Sequence, residues 1–340
     1  MTPSPSQPGA EVATSQAVAS QTPRLQRYRA IIISPHLDDA VFSCGGAIAQ
    51  MVQQGPVLVL NIFTGDLSQV KNRGVVLGDE RYAEEAAAAA FLGYESINLG
   101  ELDVSFRREP YKQLGNIFRP PVADDMQWLP SLRQRLFDIL APLQFDQIYV
   151  PLGIGWHVDH ILTYLVFEPW VGRKELVYYE DAPYCCIPHS TRYRLNEIAN
   201  YQVEPGDTSL APTNELRAWW QASMAYADTA LMKNLQPWFV RMCAVPVVAF
   251  YLFRQMALHR RLAVDSPKRS MSGVLPSLGG QFERKVDAMA LYTSQFREFF
   301  SSTGACAATL RGYSAQYSSQ LAQFERCWAV EPGPCKASGE

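Results

Sequence analysis

The chain has 340 residues, of which 48% are hydrophobic and 19% are charged, enough for one sizeable α/β domain or two smaller ones. Its net charge of −3, from 30 basic and 33 acidic residues, excludes a general electrostatic attraction to nucleic acid. Residues 1–24 are rich in Ser, Pro, Gln, Ala and Thr and contain no apolar run. We therefore expect a disordered tail over residues 1–24, a single α/β domain over 25–330 and a flexible tail over 331–340.

Seven cysteines occur at irregular spacings, and no two of them have the two-residue gap of a zinc or redox motif. We also expect no signal peptide, because the amino-terminal residues carry no apolar run. The chain is therefore predicted to be cytoplasmic, where thiols stay reduced. Cys327 and Cys335 are close enough in sequence to form a disulfide, but free thiols are the more common state in that compartment.

Short apolar runs alternate with helical patterns along the first half of the chain. Strands are predicted at residues 30–34, 57–63, 96–99, 147–150 and 176–179, and helices at 39–51, 79–92 and 129–143. This alternation predicts an α/β fold with a doubly wound, mostly parallel, Rossmann-like sheet and helices on both faces.

Two short clusters of histidine and aspartate each follow a predicted strand. The first is His36-Leu37-Asp38-Asp39 and the second is His157-Val158-Asp159-His160. Because open α/β sheets place their sites at the carboxyl ends of strands, we expect the clusters to meet. A single loop histidine is more often a hydrogen-bonded structural residue, but three of the five histidines in this chain lie in these clusters.

Imidazole and carboxylate are normal zinc ligands, and a catalytic zinc takes three protein ligands and leaves one position for water. We assign His36, Asp39 and His160 to the metal, with Zn²⁺ as the expected ion and Fe²⁺ as the alternative. Asp38 then has no ligand duty and is available as a general base. The sequence therefore predicts a metal-dependent hydrolase.

Both motifs resemble those of the PIG-L (LmbE-like) family of zinc-dependent N-deacetylases. His157–His160 matches the second family motif fully. In the first motif Ala40 stands where an acid is most often found and Leu37 replaces a common proline, as in the branch that begins Ser-Pro-His-Leu-Asp-Asp-Ala. The missing acid is expected to affect ligand orientation rather than ligation. The resemblance covers roughly residues 27–187 and 281–300.

The resemblance implies hydrolysis of an N-acetyl (N-acyl) amide on an amino sugar or amino-sugar conjugate, with release of acetate and free amine. It also implies that His157 stabilises the oxyanion and that Asp159 holds the His157 ring in its required tautomer. One branch of the family has a tyrosine where this chain has Gly155. Trp156 with a backbone amide, or a different loop, is expected to contribute in its place.

Two further residues are identified as substrate-binding by the resemblance alone. Arg81 lies in a helix that looks like the Arg/Glu helix of the family, and Asp103 falls where the family has a substrate-binding carboxylate. Arg81 with Glu84 or Glu85 also has the helical spacing of a solvated ion pair, and Asp103 fits the cap of a turn equally well. Tyr184 and Tyr292 are interpreted as packing residues; both fall in stretches that look like family landmarks.

Residues 188–280 form a variable, helical insertion that is the least family-like part of the chain. It contains the apolar run Met242–Phe253 between Arg241 and Arg254. That run is shorter than the roughly 20 residues needed to cross a bilayer. A buried helix or lid is the favoured interpretation, and peripheral contact with a membrane or a lipid-linked substrate is the alternative.

Other functions remain open from the residues alone. One is a metal-dependent amidase or deacylase of a non-sugar metabolite, and another is a non-catalytic sugar-binding relative, which the absence of an acid at Ala40 allows. The retained Asp38 argues against a binder, since a binder has no need of a spare carboxylate at the metal. The expected partner is a small molecule or glycoconjugate that contains an amino sugar, with no nucleic acid; the oligomeric state is left open.

Overall fold

The computed structural model describes residues 27–65, 78–112, 114–173, 175–227, 246, 250, 254, 258–259, 268–276, 280–318 and 325–330. Within them, eight strands form one sheet in the order β3-β2-β1-β4-β5-β8-β7-β6. The strands are β1 Arg27–Ser34, β2 Val57–Asn61, β3 Glu95–Asn98, β4 Gln144–Pro151, β5 Leu176–Tyr179, β6 Ala199–Tyr201, β7 Arg269–Val274 and β8 Cys327–Val330. The helices are α1 Asp39–Met51, α2 Asp79–Leu92, α3 Val104–Arg107, α4 Ala123–Leu140, α5 Val158–Val166, α6 Ser190–Ile198, α7 Glu215–Ala227, α8 Phe282–Ala290, α9 Thr293–Phe299 and α10 Thr303–Ser314.

The sheet is mostly parallel, as the alternation of strands and helices predicts. β1 pairs in parallel with β2 and β4, and β3 and β5 extend the sheet in the same sense on either side. β8 runs antiparallel to its two neighbours, β5 and β7. The predicted α/β class is confirmed, with a mixed outer part of the sheet in addition.

Helices pack on both faces of the sheet. The side chains of a strand alternate between the two faces, so apolar residues of one strand can contact helices on both sides. Ile31 and Ile32 of β1 are both fully buried although they point to opposite sides. Ile31 belongs to a core with Leu162 of α5, and Ile32 belongs to a second core with Ile48 of α1. The continuous apolar sequence of this central strand therefore reflects burial on both sides.

The predicted helix over residues 129–143 differs most from the structure, where α4 begins at Ala123 and ends at Leu140. Asp124 and Asp125 lie in its first turn, where carboxylates are favoured by the helix dipole, and Pro130 lies inside the helix. The apolar periodicity that guided the prediction begins only after these residues. The strands β6, β7 and β8 were not predicted, since each is short and lacks a clear alternation.

The described parts of residues 188–280 include α6, β6, α7 and β7, so part of the expected insertion builds the edge of the sheet. Of the apolar run Met242–Phe253, all but Pro246 and Phe250 lies outside the described residues. Among the helices that the structure describes, none combines the length and the apolar character needed to cross a membrane. Cys327 is buried in β8 with a free thiol.

Candidate active site

The two His/Asp motifs meet because β1 and β4 are adjacent parallel strands. The chain continues from β1 to β2 and β3 on one side and from β4 to β5 on the other, so this junction is the topological switch point of the sheet. Open α/β sheets bind ligands at such a point. Asp38 and Asp39 lie at the start of α1, and His157 is the N-cap of α5. Both motifs therefore face the same crevice.

The three residues assigned to the metal bring their ligand atoms together. Oδ2 of Asp39 lies 2.9 Å from Nδ1 of His36 and 3.2 Å from Nε2 of His160. All three side chains are buried. One ring nitrogen of His157 also lies within 4.8 Å of one nitrogen of His36 and one of His160, so His157 borders the same centre. This arrangement suits a divalent ion that takes nitrogen and oxygen ligands.

The remaining nitrogen of each assigned histidine is held by a carboxylate, as is usual for histidines that bind metal. Nδ1 of His160 lies 2.6 Å from Oδ1 of Asp181. The other oxygen of Asp181 accepts hydrogen bonds of 2.8 Å from the amides of Gly153 and Ile154. On His36, Nε2 lies 3.2 Å from Asp159. The residues therefore fit a bound metal in their outer contacts as well as in their ligand atoms.

The carboxylate of Asp159 lies in hydrogen-bond distance of His36, and within the described part of the chain it forms no hydrogen bond with the ring of His157, which differs from the expected contact. Its Oδ2 also accepts a hydrogen bond of 2.9 Å from the amide of Val104. His157, as the N-cap of α5, instead accepts a hydrogen bond of 3.3 Å at Nδ1 from the backbone amide of Asp159. Burial lowers the pKa of His157 to about 3, with the charge of His36 acting in the same direction, so the His157 ring is neutral at pH 7. A neutral ring that accepts at Nδ1 carries its proton on Nε2.

Asp38 is buried beside the residues assigned to the metal and accepts a hydrogen bond from Arg81. Nη2 of Arg81 donates to Oδ1 of Asp38 at 3.0 Å. Burial raises the pKa of Asp38, the Asp39 carboxylate raises it further, and the Arg81 guanidinium acts against both. The alternative ion pair of Arg81 with Glu84 or Glu85 is not the arrangement found.

Glu84 and Glu85 instead anchor α9, a segment of the carboxyl-terminal part of the chain. Glu84 accepts hydrogen bonds from the hydroxyl of Thr293 at 2.7 Å and from the amide of Ser294 at 2.8 Å. Glu85 accepts a hydrogen bond from the hydroxyl of Tyr292, which is buried and belongs to the core around α1. These contacts fix the position of α9 against α2.

Over the two motifs lies a cavity of about 160 Å³. Arg81, Asp103, Gln295 and Glu298 provide polar groups in its lining, and Ile117, Tyr184 and Phe299 provide apolar ones. Asp103 both caps α3, by accepting from the amide of Ser105 at 2.8 Å, and approaches Nε2 of His36 at 3.3 Å. Burial opposes ionisation of Asp103, but the hydrogen bond from His36 holds its pKa well below its usual range.

Tyr184 occupies the space beside Gly155. Gly155 has a φ of 89°, and a Cβ placed on it would lie 2.6 Å from Cγ of Tyr184. The ring of Tyr184 lines the cavity, with its centroid 6.0 Å from that of His160. The indole of Trp156 does not line this cavity; its Nε1 donates a hydrogen bond to Glu197 at 3.0 Å. The loop after β5 therefore supplies the aromatic group on this side of the cavity.

Ala40 is completely buried in the core around α1, and its amide donates to the hydroxyl of Ser34 at 3.0 Å. Its side chain belongs to the apolar core, so the absence of an acid there leaves the contacts of His36 and Asp39 intact.

Asp181 and Arg107 contact the motifs but were given no role from the sequence. Asp181 follows directly after β5, so the rule that polar residues at the carboxyl ends of parallel strands gather at one site could have identified it. Arg107 donates to Asp159 at 2.7 Å from α3. No local pattern pairs a residue of α3 with one of α5, and the contact depends on how the chain between β3 and α4 folds.

A known family matches the part of the chain that holds both motifs. Residues 31–171 match the family described as PIG-L, GlcNAc-PI de-N-acetylase. The chain is 27% identical over 169 residues to 2'-N-acetylparomamine deacetylase of Streptomyces fradiae, a match that covers 47% of this chain and 59% of that protein.

Two solved structures share the fold over nearly the whole chain. The A40926 pseudoaglycone deacetylase Dbv21 has a TM-score of 0.56 and 18% identity, over 91% of this chain and 100% of that one. A zinc-inhibited form of teicoplanin deacetylase Orf2 has a TM-score of 0.56 and 17% identity, over the same shares. The match over residues 31–171 includes both His/Asp motifs, so the chain is similar to the PIG-L family over the part that holds them.

Proposed function

We propose that this protein is a metal-dependent N-deacetylase that hydrolyses the N-acetyl amide of an amino sugar or amino-sugar conjugate to acetate and free amine. The observation that carries the proposal is the buried carboxylate of Asp38 beside the convergent ligand atoms of His36, Asp39 and His160, at the floor of a cavity. The sugar part of the proposal is supported by the amino-sugar deacetylase that the chain resembles.

We propose Zn²⁺ as the metal and keep Fe²⁺ as the alternative. His36 would hold it through Nδ1, Asp39 through Oδ2 and His160 through Nε2. Such an ion, when bound, polarises the amide carbonyl and lowers the pKa of its water toward about 7. Because a zinc-inhibited form occurs among the similar structures, assays should compare stoichiometric with excess Zn²⁺.

Asp38 carries out the proton transfers from water and to the leaving amine. Its raised pKa makes the carboxylate a better proton acceptor than an exposed aspartate, and it takes one proton from the attacking water. It then gives that proton to the amide nitrogen as the carbon–nitrogen bond breaks, which leaves a neutral amine and acetic acid; the acid loses its remaining proton to solvent and is released as acetate. The hydrogen bond from Arg81 keeps the carboxylate in one orientation through both transfers.

His157 stabilises the oxyanion as a neutral hydrogen-bond donor. Its Nδ1 accepts from the amide of Asp159, so the proton on Nε2 is free to donate to the substrate oxygen. Arg81 and Asp103 line the cavity and would bind hydroxyl groups of the sugar.

The test is an assay of acetate release by the metal-loaded protein against a panel of N-acetylated amino sugars, amino-sugar conjugates and N-acetylated metabolites without a sugar. The proposal predicts turnover of at least one amino-sugar compound. Turnover confined to the compounds without a sugar would replace the substrate class, and no release from any of them would remove the proposed activity.

A further inference from the structure

We infer that Arg107 is a positioning residue for the metal site, acting through Asp159 on His36. The inference rests on the proposed metal-dependent function. Within the described part of the chain, Arg107 forms no direct hydrogen bond with His36. Its influence on the His36 ring is therefore exerted through the carboxylate of Asp159, which contacts both residues.

The guanidinium of Arg107 is fixed by three hydrogen bonds and by contacts with two aromatic rings. Its Nη2 donates to Oδ1 of Asp159 at 2.7 Å, its Nη1 to the carbonyl of Leu102 at 2.7 Å, and its Nε to Asp125 at 3.2 Å. The guanidinium also lies 4.9 Å from the ring centre of Phe63 and 5.3 Å from that of Trp128. A planar group with this many fixed partners has one orientation.

Asp159 connects Arg107 to His36, because its carboxylate contacts both side chains. Its side chain is fully buried; one oxygen accepts from Arg107, and the other accepts from the amide of Val104 and lies 3.2 Å from Nε2 of His36. A carboxylate with both oxygens occupied cannot rotate without losing a buried hydrogen bond. Asp103 also approaches Nε2, at 3.3 Å, but of the two carboxylates Asp159 is the one that Arg107 contacts. Holding Nε2 between these carboxylates directs Nδ1 of His36 toward Asp39 and the metal position.

The two acidic partners of Arg107 differ in how much they depend on it. Asp125 also forms an ion pair with Arg108 at 3.3 Å and accepts a hydrogen bond from the hydroxyl of Tyr111 at 2.6 Å. Among the residues that the structure describes, Arg107 is the one arginine or lysine paired with Asp159. Loss of Arg107 therefore leaves a buried carboxylate beside His36 without its cation, while Asp125 keeps two partners.

Arg108 provides a matched control, because it is adjacent, has the same charge and contacts the same oxygen of Asp125, but is not paired with Asp159. Arg107→Gln and Arg108→Gln are compared for Zn²⁺ affinity by competition with a chelator, and for folding by circular dichroism and thermal unfolding. We expect Arg107→Gln to bind Zn²⁺ about 10- to 100-fold more weakly than wild type, as for other residues that orient metal-binding histidines. Arg108→Gln should stay within about threefold, because a partly exposed ion pair contributes little.

A second comparison separates positioning from a general loss of structure. If Arg107 acts through Asp159, Arg107→Gln should weaken Zn²⁺ binding no further when added to Asp159→Asn. Should Arg107→Gln fail to fold, Arg107→Lys takes its place; it keeps the charge but cannot donate to Asp159 and Leu102 together, and about tenfold weaker binding is expected.

Zn²⁺ affinity in folded Arg107→Gln or Arg107→Lys equal to that of Arg108→Gln would overturn the inference, as would full additivity with Asp159→Asn. A wild-type protein that binds no Zn²⁺ would instead remove the metal site, and this inference with it. Weak binding by Arg107→Gln beside a wild type that binds Zn²⁺ without releasing acetate would refute the deacetylase proposal and leave the positioning role standing.

Discussion

Arg81 and Asp38 are joined by a hydrogen bond of 3.0 Å between Nη2 and Oδ1. Arg81 comes from α2 and Asp38 from the turn before α1, and both side chains line the cavity. The contact connects a residue proposed to bind substrate with the proposed general base. A change at Arg81 should therefore affect both the binding of substrate and the protonation of Asp38.

The first prediction concerns the pH dependence of that pair. Arg81 lowers the pKa of Asp38, so Arg81→Gln should raise that pKa. Asp38 must be deprotonated to accept a proton from water, and a higher pKa leaves less of the active form at low pH. The acidic limb of the kcat/KM profile should therefore move to higher pH. An unchanged acidic limb would show that another group controls it.

The second prediction concerns the metal ligands. Purified protein should contain about one divalent ion per chain, and the double variant Asp39→Ala with His160→Ala should contain almost none, since two of three ligands are lost. Elemental analysis of both proteins, after identical dialysis, measures this. Thermal unfolding should also shift to lower temperature when a chelator is added to wild type, because the ion binds the folded chain. Unchanged metal content in the double variant would refute the ligand assignment.

The third prediction concerns Gly155. In Gly155→Ala the new Cβ would lie 2.6 Å from the ring of Tyr184 and would also meet the cost of a positive φ. Gly172→Ala is the control, because Gly172 has a φ of 88° and nothing within 4 Å of the added Cβ. We expect both variants to lose about 1 kcal/mol for the backbone, and Gly155→Ala to lose roughly 1–3 kcal/mol more for the clash.

Chemical denaturation measures the two free energies of unfolding, and kcat/KM should fall in Gly155→Ala only. Equal stability and activity of the two alanine variants would mean that Tyr184 is not held against Gly155 in solution.

The fourth prediction concerns the anchoring of α9. Glu84→Ala removes the acceptor for the hydroxyl of Thr293 and the amide of Ser294, so α9 should loosen and with it the Gln295 and Glu298 wall of the cavity. We expect a loss of about 1–3 kcal/mol in stability and a higher KM, with a smaller effect on kcat. Glu80→Ala is the control, since Glu80 is exposed on the same helix. An effect on kcat alone would contradict a role in the cavity wall.

Sequence pattern predicted the central strands and the two motifs because the information there is local. β1 is an apolar run that ends at Ser34, and His36 follows at once, so both the element and its site lie in adjacent residues. The partners of these motifs could not be predicted in the same way. Arg81 has helical spacing with Glu84 and Glu85, yet it contacts Asp38, because the packing of α2 against α1 decides among partners that the sequence makes equally available.

The central claim is that Asp38 acts as the base and Asp39 as a ligand, and the pair of variants Asp38→Asn and Asp39→Asn tests it most directly. Metal content and acetate release are measured on the same preparations. The proposed roles predict that Asp38→Asn keeps its metal while turnover falls by about 100-fold or more, whereas Asp39→Asn loses metal and activity together. Loss of metal from Asp38→Asn with retention in Asp39→Asn would show that the two roles are reversed.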